Sequence, residues 1–129
     1  MIGGLGDTVE SWQFQLDGLA DRFRLTAFDN RGAGRTAKPE GAVSVEMLAD
    51  DAAAVLQAYG IPSAHVAGFS GGSVIAQELA LRHPDLVRSL VLQGTWTCLP
   101  ACTISSGSGG GIRFSPGSLR GQRCRPIRS

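Results

Sequence analysis

Apolar positions recur along the first ninety or so residues in two alternating rhythms. Residues 64–69, Ala-His-Val-Ala-Gly-Phe, are a short, mostly apolar run of the kind that forms a buried strand. From Ser73 to His83 the spacing turns helical, with Val74, Ile75, Leu79 and Leu81 among good helix formers, and Pro84 ends the run. Residues 87–92 read as another apolar strand. Earlier, Val45, Leu48, Ala52, Val55, Leu56 and Tyr59 form one stripe of a helix over 45–59, capped by Ser44 and ended by Gly60 and Pro62. Residues 24–29 read as a strand. Residues 11–23 read as a short helix with Trp12, Leu16, Leu19 and Ala20 on one side, weakened by Gly18. Strand, helix, strand, helix, strand is the signature of an α/β protein with a mostly parallel sheet.

Composition narrows the class without naming a chemistry. A chain of 129 residues with 43% hydrophobic content suits one small globular domain. Its net charge of +1 gives no ground for a nucleic-acid partner or an anionic membrane. The charge is unevenly divided: residues 1–96 hold seven Lys/Arg and all eleven Asp/Glu, and residues 97–129 hold five Arg and no acid. Cys98, Cys102 and Cys124 all lie in that last stretch, and three clustered cysteines with no His at ligand spacing support neither a disulfide frame nor a metal site. No signal-peptide pattern and no membrane-length apolar run is present, so a cytoplasmic location is expected.

The candidate chemistry sits at the junction of the 64–69 strand and the helix that follows. Gly68-Phe69-Ser70-Gly71-Gly72 fits G-x-S-x-G. A glycine-rich turn before a helix would be the plain explanation. The strand–turn–helix setting instead predicts a nucleophile elbow, in which Ser70 is held strained with its hydroxyl exposed. Gly68 and Gly72 let strand and helix pass closely, and the Gly71 N–H at the helix start can point at a developing oxyanion. The Gly-x-Gly spacing in Gly4-Leu5-Gly6 lacks the preceding strand and acidic ribose contact of a nucleotide site. Asp50 and Asp51 lie off the apolar stripe and read as solvated surface groups.

Four motifs together resemble the α/β-hydrolase fold superfamily, near its bacterial esterase, enol-lactonase and methylesterase-like members. Gly3-Gly4-Leu5-Gly6-Asp7 is similar to the oxyanion loop, and Asp29-Asn30-Arg31-Gly32-Ala33-Gly34-Arg35-Thr36 to the D-x-R-G-x-G-x-S loop. Residues 68–72 resemble the elbow, and residues 82–92 the stretch after its helix. The resemblance implies a serine hydrolase for small-molecule carboxylic esters or lactones, with no cofactor and no metal. Ser70 would be the nucleophile, and the N–H groups of Leu5 and Gly71 would form the oxyanion hole. The superfamily usually has His-Gly where this chain has Gly3-Gly4; since the donors are backbone groups, the hole survives that change. Oligomeric state is not legible.

The same resemblance exposes what this sequence lacks. The superfamily takes its acid and its His from positions after the Ser, and the only two histidines here are His65 and His83. His83 lies 13 residues along the elbow helix, roughly 20 Å away at 1.5 Å per residue. His65 lies five residues back along the strand, about 16 Å away. Neither reaches the Ser70 hydroxyl; His83 reads as a helix-cap residue and His65 as a surface residue at a strand start. Residues 1–96 are thus expected to be a hydrolase core truncated at both ends, its central strand reduced to Met1-Ile2. Residues 97–129, rich in Gly, Ser and Arg, are expected to be a disordered basic tail or the product of a shifted reading frame. The alternative function is a non-catalytic fragment without the acid and His of a triad.

Overall fold

A computed structural model gives the fold of residues 1–38 and 40–95, together with two strands at 102–106 and 112–116. A 3-10 turn at Val9–Trp12 runs into helix α1 (Gln13–Leu19). Strand β1 (Val43–Ser44) leads directly into helix α2 (Val45–Ala58), then strand β2 (Ala64–Phe69) and helix α3 (Gly71–Arg82). A second 3-10 turn at Pro84–Leu86 precedes strand β3 (Val87–Gln93), with β4 (Cys102–Ser106) and β5 (Ile112–Pro116) beyond it. The parallel α/β order expected from the hydrophobic pattern is present.

β2 and β3 pair in parallel, with Val66 opposite Leu90 and Gly68 opposite Leu92. On the other side of β2 stands Ile2, which bridges Gly68 and Phe28 at once, both in parallel. The Ile2 N–H donates to Ala67 O at 2.8 Å, and the Phe69 N–H donates to Ile2 O at 3.2 Å. Met1-Ile2 therefore lies between the 24–28 segment and β2. The strand expected over 24–29 contracts to one bridge at Phe28. A parallel ladder needs a partner residue at every step, and among the described residues this segment meets Met1 through Thr26 O and Ile2 through Phe28.

The core lies between the sheet and the two longer helices: Ile2, Val45, Leu48, Ala49, Ala52, Ala53, Val66, Val74, Ile75, Ala76 and Leu79 are buried together. Val45, Leu48, Ala52 and Leu56 of the stripe read in the sequence are buried, and the covered face of α2 is wider than that stripe. Ala49 and Ala53 face in, whereas Val55 is half-buried and Tyr59 is 61% exposed. Small alanines let α2 and α3 approach, and Tyr59 sits past the last helical turn. Both ends of α2 are as expected. Ser44 Oγ accepts from the Met47 N–H at 3.2 Å, and Gly60 takes φ +63 while Ile61 and Gly60 donate to Leu56 O and Gln57 O. The first helix is shorter than expected. It ends at Leu19 and has no buried residue of its own: Trp12, buried, belongs to the 3-10 turn before it, Leu16 is half-buried, and Leu19 and Ala20 are exposed.

Within the stretch expected to be a disordered tail, β4 and β5 form an antiparallel pair. β4 also pairs with β1, placing Val43 opposite Ile104. The rest of 97–129, with Cys98 and Cys124, lies outside the described residues.

Asp50 and Asp51, expected to be solvated, are both ion-paired. Asp51 takes the Arg31 guanidinium in a two-pronged contact that ties the 29–36 loop to α2. Asp50 accepts from Arg82 Nε at 3.1 Å and Nη2 at 2.9 Å, and lies 2.8 Å from His83 Nε2. Arg82 first, then His83, holds the Asp50 carboxyl down at about 2. A depressed carboxylate contributes stability above its unfolded value near 4 and loses it as pH falls through the folded one. Asp50→Asn should therefore lower the urea midpoint clearly at pH 5 and by much less near pH 2, where the contribution is largely lost. An equal drop at both pH values would contradict this account.

Candidate active site

Ser70 carries φ +51 and ψ −122, and among the described residues no other non-glycine has positive φ. Such a backbone is costly for an L side chain, on the order of 1–3 kcal/mol, and persists only where its surroundings over-determine it. Here they do. The Ser70 N–H donates to Gln93 O at 2.9 Å, fixing it to the end of β3. Ser70 O accepts from the Ser73 N–H at 3.0 Å and from the buried Ser73 Oγ at 2.5 Å, fixing it to the first turn of α3. The residue lies at the single step between β2 and α3, half-buried, as the motif requires.

The glycines around it are explained by contact. A Cβ on Gly68 would stand 2.4 Å from Gly72 O, so strand and helix touch backbone to backbone at the elbow. A Cβ on Gly72 would stand 2.1 Å from Ile2 O and 2.4 Å from Gly3 O. The start of α3 thus rests directly on the 2–3 backbone, which delivers the following loop to Ser70. A Cβ on Gly4 would stand 3.3 Å from Ser70 Cβ, and one on Gly71 would stand 3.3 Å from the Leu5 nitrogen. The backbones of Leu5 and Gly71 therefore lie against each other, next to Ser70. Gly71 opens α3, where N–H groups have no intrahelical acceptor. The Leu5 N–H donates to no acceptor among the described residues. Two amide donors beside one strained, half-buried hydroxyl can stabilise negative charge that develops on an oxygen next to Ser70.

Two side chains not singled out in the sequence hold this loop. Asp7 Oδ2 accepts from the Gly4 N–H at 2.8 Å, and Asn30 Nδ2 donates to Gly3 O at 3.2 Å. Asp29 closes the neighbouring loop: Oδ1 accepts from the Val9 N–H at 2.8 Å and Oδ2 from the Arg35 N–H at 3.0 Å. Those bonds, Arg35's first, hold the Asp29 carboxyl below its ordinary value. Asp7 and Asn30 fall inside motifs visible in the sequence, yet nothing in their spacing tells which backbone atoms they meet.

The histidines are elsewhere. His83 caps the far end of α3 and contacts Asp50; His65 lies exposed near the start of β2, its Nδ1 2.8 Å from Ser89 Oγ. A cavity of about 490 Å³ runs along β2, lined by Phe23, Phe28, Ile61, Ala64, Val66 and Ala67, and Ser70 is not among its lining residues. Ligands of α/β sheets bind at the carboxyl ends of strands, where Ser70 lies. Among the described residues no helix is long and apolar enough to cross a membrane.

A family model described as alpha/beta hydrolase fold matches residues 1–122. A RutD protein of Azorhizobium caulinodans, named as a candidate carbamate hydrolase, is 40% identical over 96 residues, which cover 74% of this chain and 36% of the relative. Two solved structures share the fold and a third or more of the aligned residues. BpoC of Mycobacterium tuberculosis, named as a candidate non-haem bromoperoxidase, superimposes with a TM-score of 0.69 at 38% identity, over 77% of this chain and 37% of its own. Est816, named as an N-acyl homoserine lactone degrading enzyme, does so with a TM-score of 0.69 at 33% identity, over 73% of this chain and 37% of its own. The chain thus spans little more than a third of the length of these relatives.

Proposed function

The chain belongs to the alpha/beta hydrolase fold family, and on that premise we propose that Ser70 is the nucleophile of a serine hydrolase acting on small-molecule carboxylic esters or lactones. The observation that carries this reading is the Ser70 backbone, φ +51 at a one-residue step between strand and helix. That strain serves to present a hydroxyl, since a plain turn would relax it. Ser70 Oγ would attack the carbonyl carbon, and the Leu5 and Gly71 N–H groups would take the charge on the carbonyl oxygen. The alcohol would leave, and water would release the acid from acyl-Ser70. The reading uses no metal and no cofactor. The lactone-degrading Est816 supports a lactone substrate. The RutD relative points to a carbamate, whose acyl carbon would meet the same hydroxyl and donors.

The reaction also needs a base within hydrogen-bond reach of Ser70 Oγ. Both histidines of this sequence are engaged elsewhere, His83 with Asp50 and His65 with Ser89. That placement favours a second reading for these 129 residues taken alone: the nucleophile half of a hydrolase site, without turnover.

Supplying the base from solution tests the nucleophile. With imidazole present, an aryl phosphonate such as ethyl p-nitrophenyl methylphosphonate should phosphonylate Ser70. Ser70 Oγ bonds to phosphorus, p-nitrophenolate leaves, and imidazole accepts the hydroxyl proton. Intact-mass analysis should show one adduct, mapped to Ser70 and missing from Ser70→Ala. Equal labelling of both proteins would sink the assignment.

A further inference from the structure

We propose that Asn30 and Asp7 are positioning residues that aim the Leu5 N–H at the oxygen bound beside Ser70; the inference rests on the reading of Ser70 as nucleophile. The loop that carries Leu5 begins Gly3-Gly4, two residues with little intrinsic preference for peptide orientation. Left alone, such a segment flips its peptide planes cheaply. Here one plane is held at both ends. Gly3 O accepts from Asn30 Nδ2 at 3.2 Å, and the N–H of the same peptide unit, on Gly4, donates to Asp7 Oδ2 at 2.8 Å.

The next plane is held by Asp7 as well. Its backbone N–H donates to Gly4 O at 3.2 Å, closing a turn over residues 4–7 in which Gly6 takes φ +82. In a trans peptide the C=O and the following N–H point in opposite directions. Drawing Gly4 O into the turn therefore turns the Leu5 N–H outward, toward Gly71 and Ser70. The Asn30 amide makes its contact at a cost: its Oδ1 is buried with no partner. The reverse orientation would set an acceptor against Gly3 O, so Nδ2 faces Gly3 even though Oδ1 goes unsatisfied. An amide that gives up one of its own bonds to hold a glycine carbonyl is placed for that carbonyl.

The imidazole-assisted phosphonylation of Ser70 reads the effect directly, as a limiting rate and a half-saturating probe concentration. Asn30→Leu keeps the volume and removes the donor; Asp7→Ala removes the acceptor; Asp7→Asn keeps an oxygen at the Gly4 N–H. Loss of one oxyanion donor costs about 10²–10³ in rate, and a misdirected donor is a partial loss. Asn30→Leu and Asp7→Ala should each lower the limiting rate about 10- to 100-fold, with the half-saturating concentration little changed. Asp7→Asn should recover most of it, and far-UV circular dichroism and urea midpoints of the folded variants should not track the rates. Wild-type limiting rates in Asn30→Leu and Asp7→Ala would overturn the proposal. So would a fall that follows the folded fraction with no rescue by Asp7→Asn. Absence of labelling in the wild-type chain would instead remove the nucleophile reading, and this inference with it.

Discussion

The 129-residue chain is expected to hydrolyse p-nitrophenyl acetate no faster than its own Ser70→Ala variant. On the reading proposed above, Ser70 Oγ is the nucleophile with the Leu5 and Gly71 amides beside it, and among the described residues neither histidine is placed to take its proton. His83 sits at the far end of the twelve-residue helix α3, engaged by Asp50. His65 faces outward near the other end of β2. Serine-hydrolase sites deprived of a triad member keep only about 10³–10⁴ over water from the oxyanion hole and binding. That remainder presupposes a formed substrate pocket, and Ser70 does not line the cavity beside β2. Joining the chain to the stretches of the Azorhizobium relative that lie outside the match should restore turnover that Ser70→Ala abolishes. If the short chain already turns over and Ser70→Ala silences it, the chain holds a base that the present geometry does not identify. His65 and His83 would then be the first positions to replace.

Gly72→Ala is expected to destabilise the fold by about 2 kcal/mol net, although it lies within a helix. In an open helical position alanine is favoured over glycine by about 1 kcal/mol. At Gly72 the added Cβ would stand 2.1 Å from Ile2 O and 2.4 Å from Gly3 O, both backbone atoms. Neither can rotate aside. Helix and strand must separate, at an overpacking cost of about 3 kcal/mol. The same shift would move the Leu5 amide from Gly71, so Ser70 labelling should fall with stability. Gly18→Ala is the control: that glycine is in α1, and its added Cβ meets nothing within 4 Å. It should gain up to about 1 kcal/mol. Urea midpoints for the two variants should move in opposite directions; a Gly72→Ala protein as stable as Gly18→Ala would contradict the close approach.

Much of the framework is written in local pattern. The α/β order, the Ser44 cap, the Gly60 stop and the elbow at residues 68–72 depend on neighbours a few residues apart. Propensity, capping and turn chemistry act over that range, so those features could be read from the chain alone. The sequence also determined that Ser70 stands without a histidine in reach, because distance along a helix or strand sets a minimum separation.

Contacts between distant segments were a different matter. Nothing in the pattern of 24–29 says that its ladder would shrink to a bridge at Phe28, since ladder length belongs to the partner. Tyr59 belongs to the stripe of α2 by period but lies exposed, because the helix ends at Ala58 and carries it out of register. Asp50 and Asp51 look like solvated charges until Arg82, His83 and Arg31 are brought to them across 20 to 33 residues. The strands at 102–106 and 112–116 arise from pairing with each other and with β1, which composition does not report. The clearest case is at the site. The family resemblance points to Leu5 as a donor beside Gly71, but only the fold shows Asn30 holding Gly3 O from 27 residues away and Asp7 closing the turn. Hydrogen-bond direction depends on where two backbones stop relative to each other, and that is decided by packing, not by residue type.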